Sequence, residues 1–229
     1  MKLLGLIGGV SPESTAIYYR LLNETARARL GSQHSANILL YALDYGVMIT
    51  HYDNHDWEAF KGEVVIGAKR LARAGVDALV ICSNTTHVGA DAAHEATGLP
   101  VIHVLDALSD ALKANDARRP LLMGTPVVMA EGHYRRELAK RYQGDVIIPS
   151  EADRETIGRI ILDELVRGEV RSKSRDELLA IADASNCDGI ILGCTELCMI
   201  LAQEHTDIPV FDTTALHALA ASAFAFGED

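Results

Sequence analysis

Cys194 stands in the run Gly193-Cys194-Thr195-Glu196, directly after the apolar stretch Ile190–Leu192. A thiol there sits near the N–H groups that open the next helical segment, where partial positive charge favours thiolate. An unperturbed thiol is about 3% ionised at pH 7, and a drop of one pK unit raises that to about a quarter. A general base or nucleophile needs such a shift; a cysteine packed only as a small core residue does not. Ser83-Asn84-Thr85-Thr86-His87 follows the apolar stretch Ala78–Cys82 in the same way. Asn84 and Thr85 offer hydrogen-bond donors, and a helix start suits a carboxylate. The same residues also serve as N-caps. Cys82 precedes Ser83 by one position, so its side chain points the other way, into the core.

Both segments belong to a weak internal repeat. Asp77-Ala-Leu-Val-Ile-Cys-Ser83-Asn84 aligns with Asp188-Gly-Ile-Ile-Leu-Gly-Cys194-Thr195, and Leu99-Pro-Val-Ile with Ile208-Pro-Val-Phe. Each half also opens with an apolar strand running into glycine, Leu6-Ile-Gly-Gly9 and Leu122-Met-Gly124. Short continuous apolar runs predict buried strands at Leu3–Ile7, Ala36–Tyr41, Ala78–Cys82, Val101–Val104, Leu121–Met123, Val146–Ile148, Ile190–Leu192 and Val210–Phe211. Helical patterns lie between them. Ser11 is placed as an N-cap with Pro12 at the first helical position, and Ile17, Leu21 and Ala28 form the stripe behind it. Phe60, Val64, Ala68 and Leu71 form a second stripe ending at Gly75, and Ile157, Ile160, Ile161 and Leu165 a third ending at Gly168. Ser174 and Glu177 are spaced as a capping box ahead of Leu178 and Ile181. The rhythm predicts an α/β fold of two pseudo-symmetric lobes, each a parallel sheet flanked by helices. The expected lobes are 1–99 with 210–229, and 100–209. Ligands of such sheets gather at the carboxyl ends of the strands, so the active site is expected in the cleft between the lobes.

Composition removes several function classes. With 32 acidic and 21 basic residues the formal net charge is -11, which repels phosphate backbones and argues against nucleic-acid binding. No apolar run approaches the roughly 18 residues that span a membrane. Cysteines 82, 187, 194 and 198 come without a secretion signal, which predicts reduced thiols in the cytoplasm. Cys194 and Cys198 are too far apart for a C-x-x-C pair and have no partner pair, so no metal site is expected. Gly8-Gly9 lacks the spacing of a nucleotide-binding loop. His51, Asp53, His55 and Asp56 read as a solvated loop rather than a lid or metal site.

The motifs taken together resemble the aspartate/glutamate racemase superfamily, in its amino-acid racemase branch. The resemblance runs over essentially the whole chain. It rests on Gly8-Gly-Val-Ser-Pro-Glu-Ser-Thr15 with Tyr18-Tyr19-Arg20 and Asn23, and on Cys82-Ser-Asn-Thr-Thr-His87. Gly193-Cys-Thr-Glu-Leu197 and Phe211-Asp-Thr-Thr214 with His217 complete it. The resemblance implies two pseudo-symmetric lobes, a homodimer and no cofactor. It also implies two thiols on opposite faces of a substrate α-carbon, one removing the proton and the other returning it. Carboxylate-binding roles fall on Asn84, Thr85 and Thr195. The chain departs from the pattern in carrying Ser83 where the first thiol belongs. It has no arginine between Arg29 and Arg70 for a distal carboxylate, and Val128 where a threonine is usual.

The expected activity is therefore a cofactor-independent amino-acid racemase or epimerase acting on a small amino-acid or carboxylate substrate. Cys194 is the thiol acid/base and Ser83 holds the opposite catalytic position. Asn84, Thr85, Thr195, Glu196, Ser11 and Thr125 are the substrate-binding candidates. Two alternatives stand beside it: a one-thiol arylmalonate-type decarboxylase, and a non-catalytic small-molecule binding protein on the same scaffold.

Overall fold

The computed structural model describes residues 1–130 and 132–228; Glu131 and Asp229, the latter at the end of an expected lobe, lie outside the described residues. The chain divides into two compact units, Met1–Val104 with His217–Asp229, and Leu105–Leu216. The boundaries differ from those expected at residues 100–104, which belong to the first unit, and 210–216, which belong to the second.

The first unit is built on a parallel sheet of four strands: β1 (Leu4–Gly8), β2 (Ile38–Ala42), β3 (Ala78–Ile81) and β4 (Val101–Ile102), in the order β2-β1-β3-β4. Leu4, Leu6 and Ile7 of β1 and all of β3 are buried, as continuous apolar strands of a parallel sheet should be. Helix α1 (Pro12–Leu30) starts as expected, with Ser11 accepting from the Ser14 N–H. Its buried stripe is rotated from the expected one. Tyr18, Leu22 and Ala26 face the sheet, whereas Ala28 is exposed. The cause is the polar set Ser14, Thr15 and Asn23, whose hydrogen-bonding side chains also turn inward. Helix α2 (Tyr45–Asp53) occupies the stretch expected as a loop, with Asp44 as its cap, and Asp56 caps helix α3 (Trp57–Arg73). Phe60, Val64, Ala68 and Leu71 of α3 pack on Ile7, Leu79 and Ile81. Each large apolar side chain fully buried this way contributes about 1.5–3 kcal/mol. Helix α4 (Ala90–Thr97) precedes β4. On the other face, Ala218, Ala221 and Ala225 join Leu4, Leu6, Tyr18, Leu22 and Val80 in one cluster.

The second unit carries β5 (Leu121–Met123), β6 (Ile190–Leu192) and β7 (Val210–Asp212), all parallel, with β6 central. The expected strand at Val146–Ile148 is reduced to one bridge, Leu121 to Ile147. Helices α5 (Val104–Ala114), α6 (Pro126–Ala130), α7 (His133–Ala139), α8 (Glu151–Arg159), α9 (Ser172–Ala184) and α10 (Thr213–Phe226) are the remaining α-helices among the described residues, α5 and α10 each crossing a unit boundary. After α8 the chain widens into a π turn at Ile160–Glu164 and tightens to Gly168, at φ 76°. Ile157, Ile160, Ile161 and Leu165 stay buried throughout, on the expected stripe. Ser174 does not cap α9, which begins at Ser172. Its hydroxyl donates to Glu164 Oε2 at 2.6 Å, and Glu177 pairs with Arg159 instead.

Candidate active site

In the first unit the turns that leave β1 and β3 are tied together. Gly8 and Gly9 are there for space: a Cβ on Gly8 would collide with Thr15, and one on Gly9, at φ 95°, with the Leu43 carbonyl. Thr15 Oγ1 accepts from Gly9 N–H at 2.8 Å and donates to the Ser11 carbonyl at 2.9 Å. The Ser14 hydroxyl lies 3.1 Å from the Cys82 carbonyl. Ser11 is buried, with its Oγ engaged as the helix cap.

Ser83, Asn84 and Thr85 follow β3. Ser83 and Asn84 are buried and Thr85 half-buried. Ser83 N–H donates to the Ile81 carbonyl at 2.9 Å, and the Ser83 carbonyl accepts from Thr86 Oγ1 at 3.1 Å and from His87 Nδ1 at 2.7 Å. Asn84 makes no capping bond with its side chain. The next segment is a five-residue 3-10 turn, Thr85–Gly89, so the expected helix start at Asn84 is not an α-helix N-terminus. Cys82 is fully buried among Leu4, Leu6 and Tyr18, and burial pushes its thiol far above the usual range, as fits a core residue. Among the described residues no group of three His, Cys, Asp or Glu side chains is placed to hold a metal ion.

In the second unit the corresponding turn leaves β6. Gly193 fits where a Cβ would press on the Met123 carbonyl and Leu122, and its N–H donates to Met123 O at 2.7 Å. Cys194 is 7% and Glu196 8% exposed. The Cys194 thiol donates to Glu196 Oε2 at 2.9 Å, and Thr195 Oγ1 donates to the same oxygen at 2.8 Å. Thr125, after β5, is half-buried with its carbonyl capped by Met129 N–H. Thr213 Oγ1 donates to Leu192 O at 2.7 Å and so fixes the end of β6 against α10.

The thiol does not have the lowered pKa expected from its sequence position. Burial first, and then the charge and hydrogen bond of Glu196, push Cys194 well above the ordinary thiol range. The segment after it, Thr195–Met199, is a 3-10 turn rather than an α-helix, and the one backbone N–H that opposes the shift, that of Glu196, is outweighed by burial and by the Glu196 carboxylate. The raised thiol pKa keeps the proton on sulfur at rest, and Glu196 Oε2 is placed to receive it. Moving it from Sγ to Oε2 leaves the pair's net charge unchanged, which avoids placing an extra charge in a buried site. Glu196 is thus occupied by Cys194 and Thr195. Sequence reasoning missed this role, and the two-residue spacing across a tight turn was its only signal.

The sequence pattern of the Asp/Glu/hydantoin racemases matches residues 7–221. The chain belongs to the Asp/Glu/hydantoin racemase family. Racemases are isomerases, and the chain is an enzyme of that class. Among curated relatives, the broad specificity amino-acid racemase RacX of Bacillus subtilis (strain 168) is 20% identical over 217 residues, covering 93% of each chain. A Yersinia pestis protein assigned to the Asp/Glu racemases is 39% identical, with a TM-score of 0.91 over 99% of this racemase and 100% of that chain. An aspartate racemase homologue from Pyrococcus horikoshii OT3 is 27% identical, with a TM-score of 0.87 over 99% and 100%. The parallel sheets flanked by helices are the racemase fold.

Proposed function

We propose that this racemase inverts the α-carbon of amino acids without a cofactor, Cys194 serving one face as a thiol acid/base and Ser83 the other. The observation that carries this reading is the buried Cys194–Glu196 pair with Thr195 at the end of β6. Glu196 takes the thiol proton, the thiolate removes the α-proton, and the carbanion gains a proton on the opposite face from Ser83. Asn84 and Thr85 hold the substrate carboxylate, joined by Thr195 once its hydroxyl turns from Glu196 to the substrate, with Ser11 and Thr125 bordering the strand ends. No arginine lies between Arg29 and Arg70, so neutral and polar side chains compete with acidic ones. The broad specificity of RacX supports that breadth. No helix among the described residues is long and apolar enough to cross a membrane. A working thiol needs a reducing compartment, which favours the cytoplasm. The outer edge of β2 exposes Leu39 and Leu40, which supports a homodimer built on that edge.

The test is α-proton exchange in heavy water across all amino acids, both enantiomers. Deuterium gain with inversion is expected for several side chains. A preference above about 100-fold for aspartate or glutamate, about 2.7 kcal/mol, would reveal an unrecognised charge-assisted contact. Carbon dioxide release from arylmalonates without exchange on amino acids would make the chain a decarboxylase. Saturable binding indifferent to Cys194, with no exchange, would make it a binding protein.

A further inference from the structure

His87 follows Ser83 by four residues, is nearly buried, and has both ring nitrogens engaged. Nδ1 lies 2.7 Å from the Ser83 carbonyl, and Nε2 lies 3.2 Å from the Val104 N–H. A carbonyl can only accept and an amide N–H can only donate, so Nδ1 carries the proton and Nε2 does not. His217, fully buried on α10, is fixed the same way round the other nitrogen. Its Nε2 lies 2.7 Å from the Ile102 carbonyl and must donate, which leaves Nδ1 to accept from the Tyr18 hydroxyl at 2.8 Å. The two rings meet edge to face with centroids 5.2 Å apart, and His103 lies against His87 at 4.7 Å.

We propose that His87 is a positioning residue, a neutral imidazole locked in its Nδ1–H tautomer that fixes the Ser83 turn to the start of α5, backed by His217 and Tyr18. The inference rests on the reading of Ser83 as the partner of Cys194. The geometry argues against His87 as the acid or base itself. Releasing the Nδ1 proton would break the Ser83 bond, and protonating Nε2 would set two donors face to face at Val104. What the ring does instead is hold the Ser83 carbonyl while the Ser83 N–H is held by Ile81. The serine backbone is thus fixed on both sides, and little more than χ1 remains to aim the hydroxyl. A hydroxyl is a weaker acid than a thiol, so its contribution depends on being aimed well.

Two measurements test this. Long-range ¹H–¹⁵N correlation on the wild-type protein at neutral pH should show His87 protonated at Nδ1 only and His217 at Nε2 only. Inversion and exchange should then be followed for His87→Ala and His87→Asn, with circular dichroism confirming the fold. Asparagine replaces the donor at Nδ1 but does not reach Val104. Alanine should lower inversion about tenfold or more, while exchange at the enantiomer served by Cys194 stays within about threefold. Asparagine should recover part of the inversion. An Nε2–H tautomer at His87, or exchange and inversion falling by the same factor in both variants, overturns the proposal. Absence of exchange in the wild type would instead overturn the racemase reading and this role with it, whatever the tautomer.

Discussion

The turns after β3 and β6 occupy matching places in the two units, yet their buried polar groups are of different kinds. Around Ser83 the first unit buries hydroxyls, an amide and the imidazoles of His87 and His217; among the described residues none of its buried groups is a carboxylate. The second unit buries two carboxylates, Glu196 beside Cys194 and Glu164 between Ser174 and Arg159. A hydroxyl gives up its proton too reluctantly for a neighbouring carboxylate to act as its base, so the first turn can only aim it. A thiol is more acidic than a hydroxyl, and the carboxylate beside Cys194 shifts its pKa, so the second turn can tune it. On the proposed mechanism, similar backbone supports two unequal proton-transfer groups, one governed by geometry and one by charge.

Removing the tuned group should have the largest effect. Cys194→Ala should lower α-proton exchange of both enantiomers by about 10²–10⁴-fold with the fold intact. Activity within about threefold of wild type would end the assignment. Glu196→Gln comes next and separates charge from geometry. The amide oxygen still accepts from Thr195 but is a far weaker proton acceptor, so exchange should fall by about 10–100-fold. The negative charge of Glu196 raises the thiol pKa, so removing it lowers that pKa and increases thiolate at neutral pH. Iodoacetamide should therefore alkylate Cys194 faster in the variant than in wild type. Exchange and alkylation moving in the same direction would contradict Glu196 as the acceptor of the thiol proton.

Much of this was legible in the sequence, for identifiable reasons. Continuous apolar runs located β3, β5 and β6 because strands buried on both faces need them. The repeat located Ser83 and Cys194 because both turns grow from buried parallel strands. Three features were hidden. The face of α1 is set by inward-turned Ser14, Thr15 and Asn23, whose partners lie on other segments, so apolar spacing alone mislocated it. Ser174 has the spacing of a cap, but tertiary structure gives its hydroxyl to Glu164. The upward shift of Cys194 depends on burial and on which way Glu196 turns, neither of which adjacency in sequence determines.

Ser83 offers a smaller and more selective effect. Free enantiomers have equal energy, so racemisation has an equilibrium constant of one and the two directions share one kcat/KM. The inequality of the two groups should appear in isotope exchange instead. On the proposed mechanism, when the α-hydrogen faces Cys194 the thiolate removes it, Ser83 is slow to supply the other face, and the carbanion recaptures from Cys194. That enantiomer, the L form by family resemblance, should gain deuterium faster than it inverts. Ser83→Cys should close the gap. Equal exchange and inversion for both enantiomers of the wild type would show that Ser83 is not the slower partner.

The smallest effect on catalysis, and the one that isolates the charged character of the second unit, concerns Glu164. Its carboxylate is 2% exposed, accepts from Ser174 at 2.6 Å and Arg159 at 2.8 Å, and lies 3.6 Å from Arg171. The Ser174 hydrogen bond, followed by the two arginines, holds its pKa below the ordinary carboxylate value, against the opposing effect of burial. The folded pKa is therefore below the unfolded value of about 4.3. The stability this adds is fully present above that unfolded value and is lost as pH falls through the folded pKa. Glu164→Gln should cost about 1–3 kcal/mol at pH 7, read from denaturant midpoints, because the amide loses its charge-assisted bonds to Arg159 and Ser174, leaving Arg159 only Glu177 and Arg171 only Glu169. The cost should shrink as both proteins are taken below pH 4, where protonation of Glu164 removes the wild type's advantage. α-Proton exchange at pH 7 should stay within about twofold, since the residue lies on the π turn rather than on the β6 turn. A cost that does not change with pH would show that packing, not charge, is what Glu164 contributes.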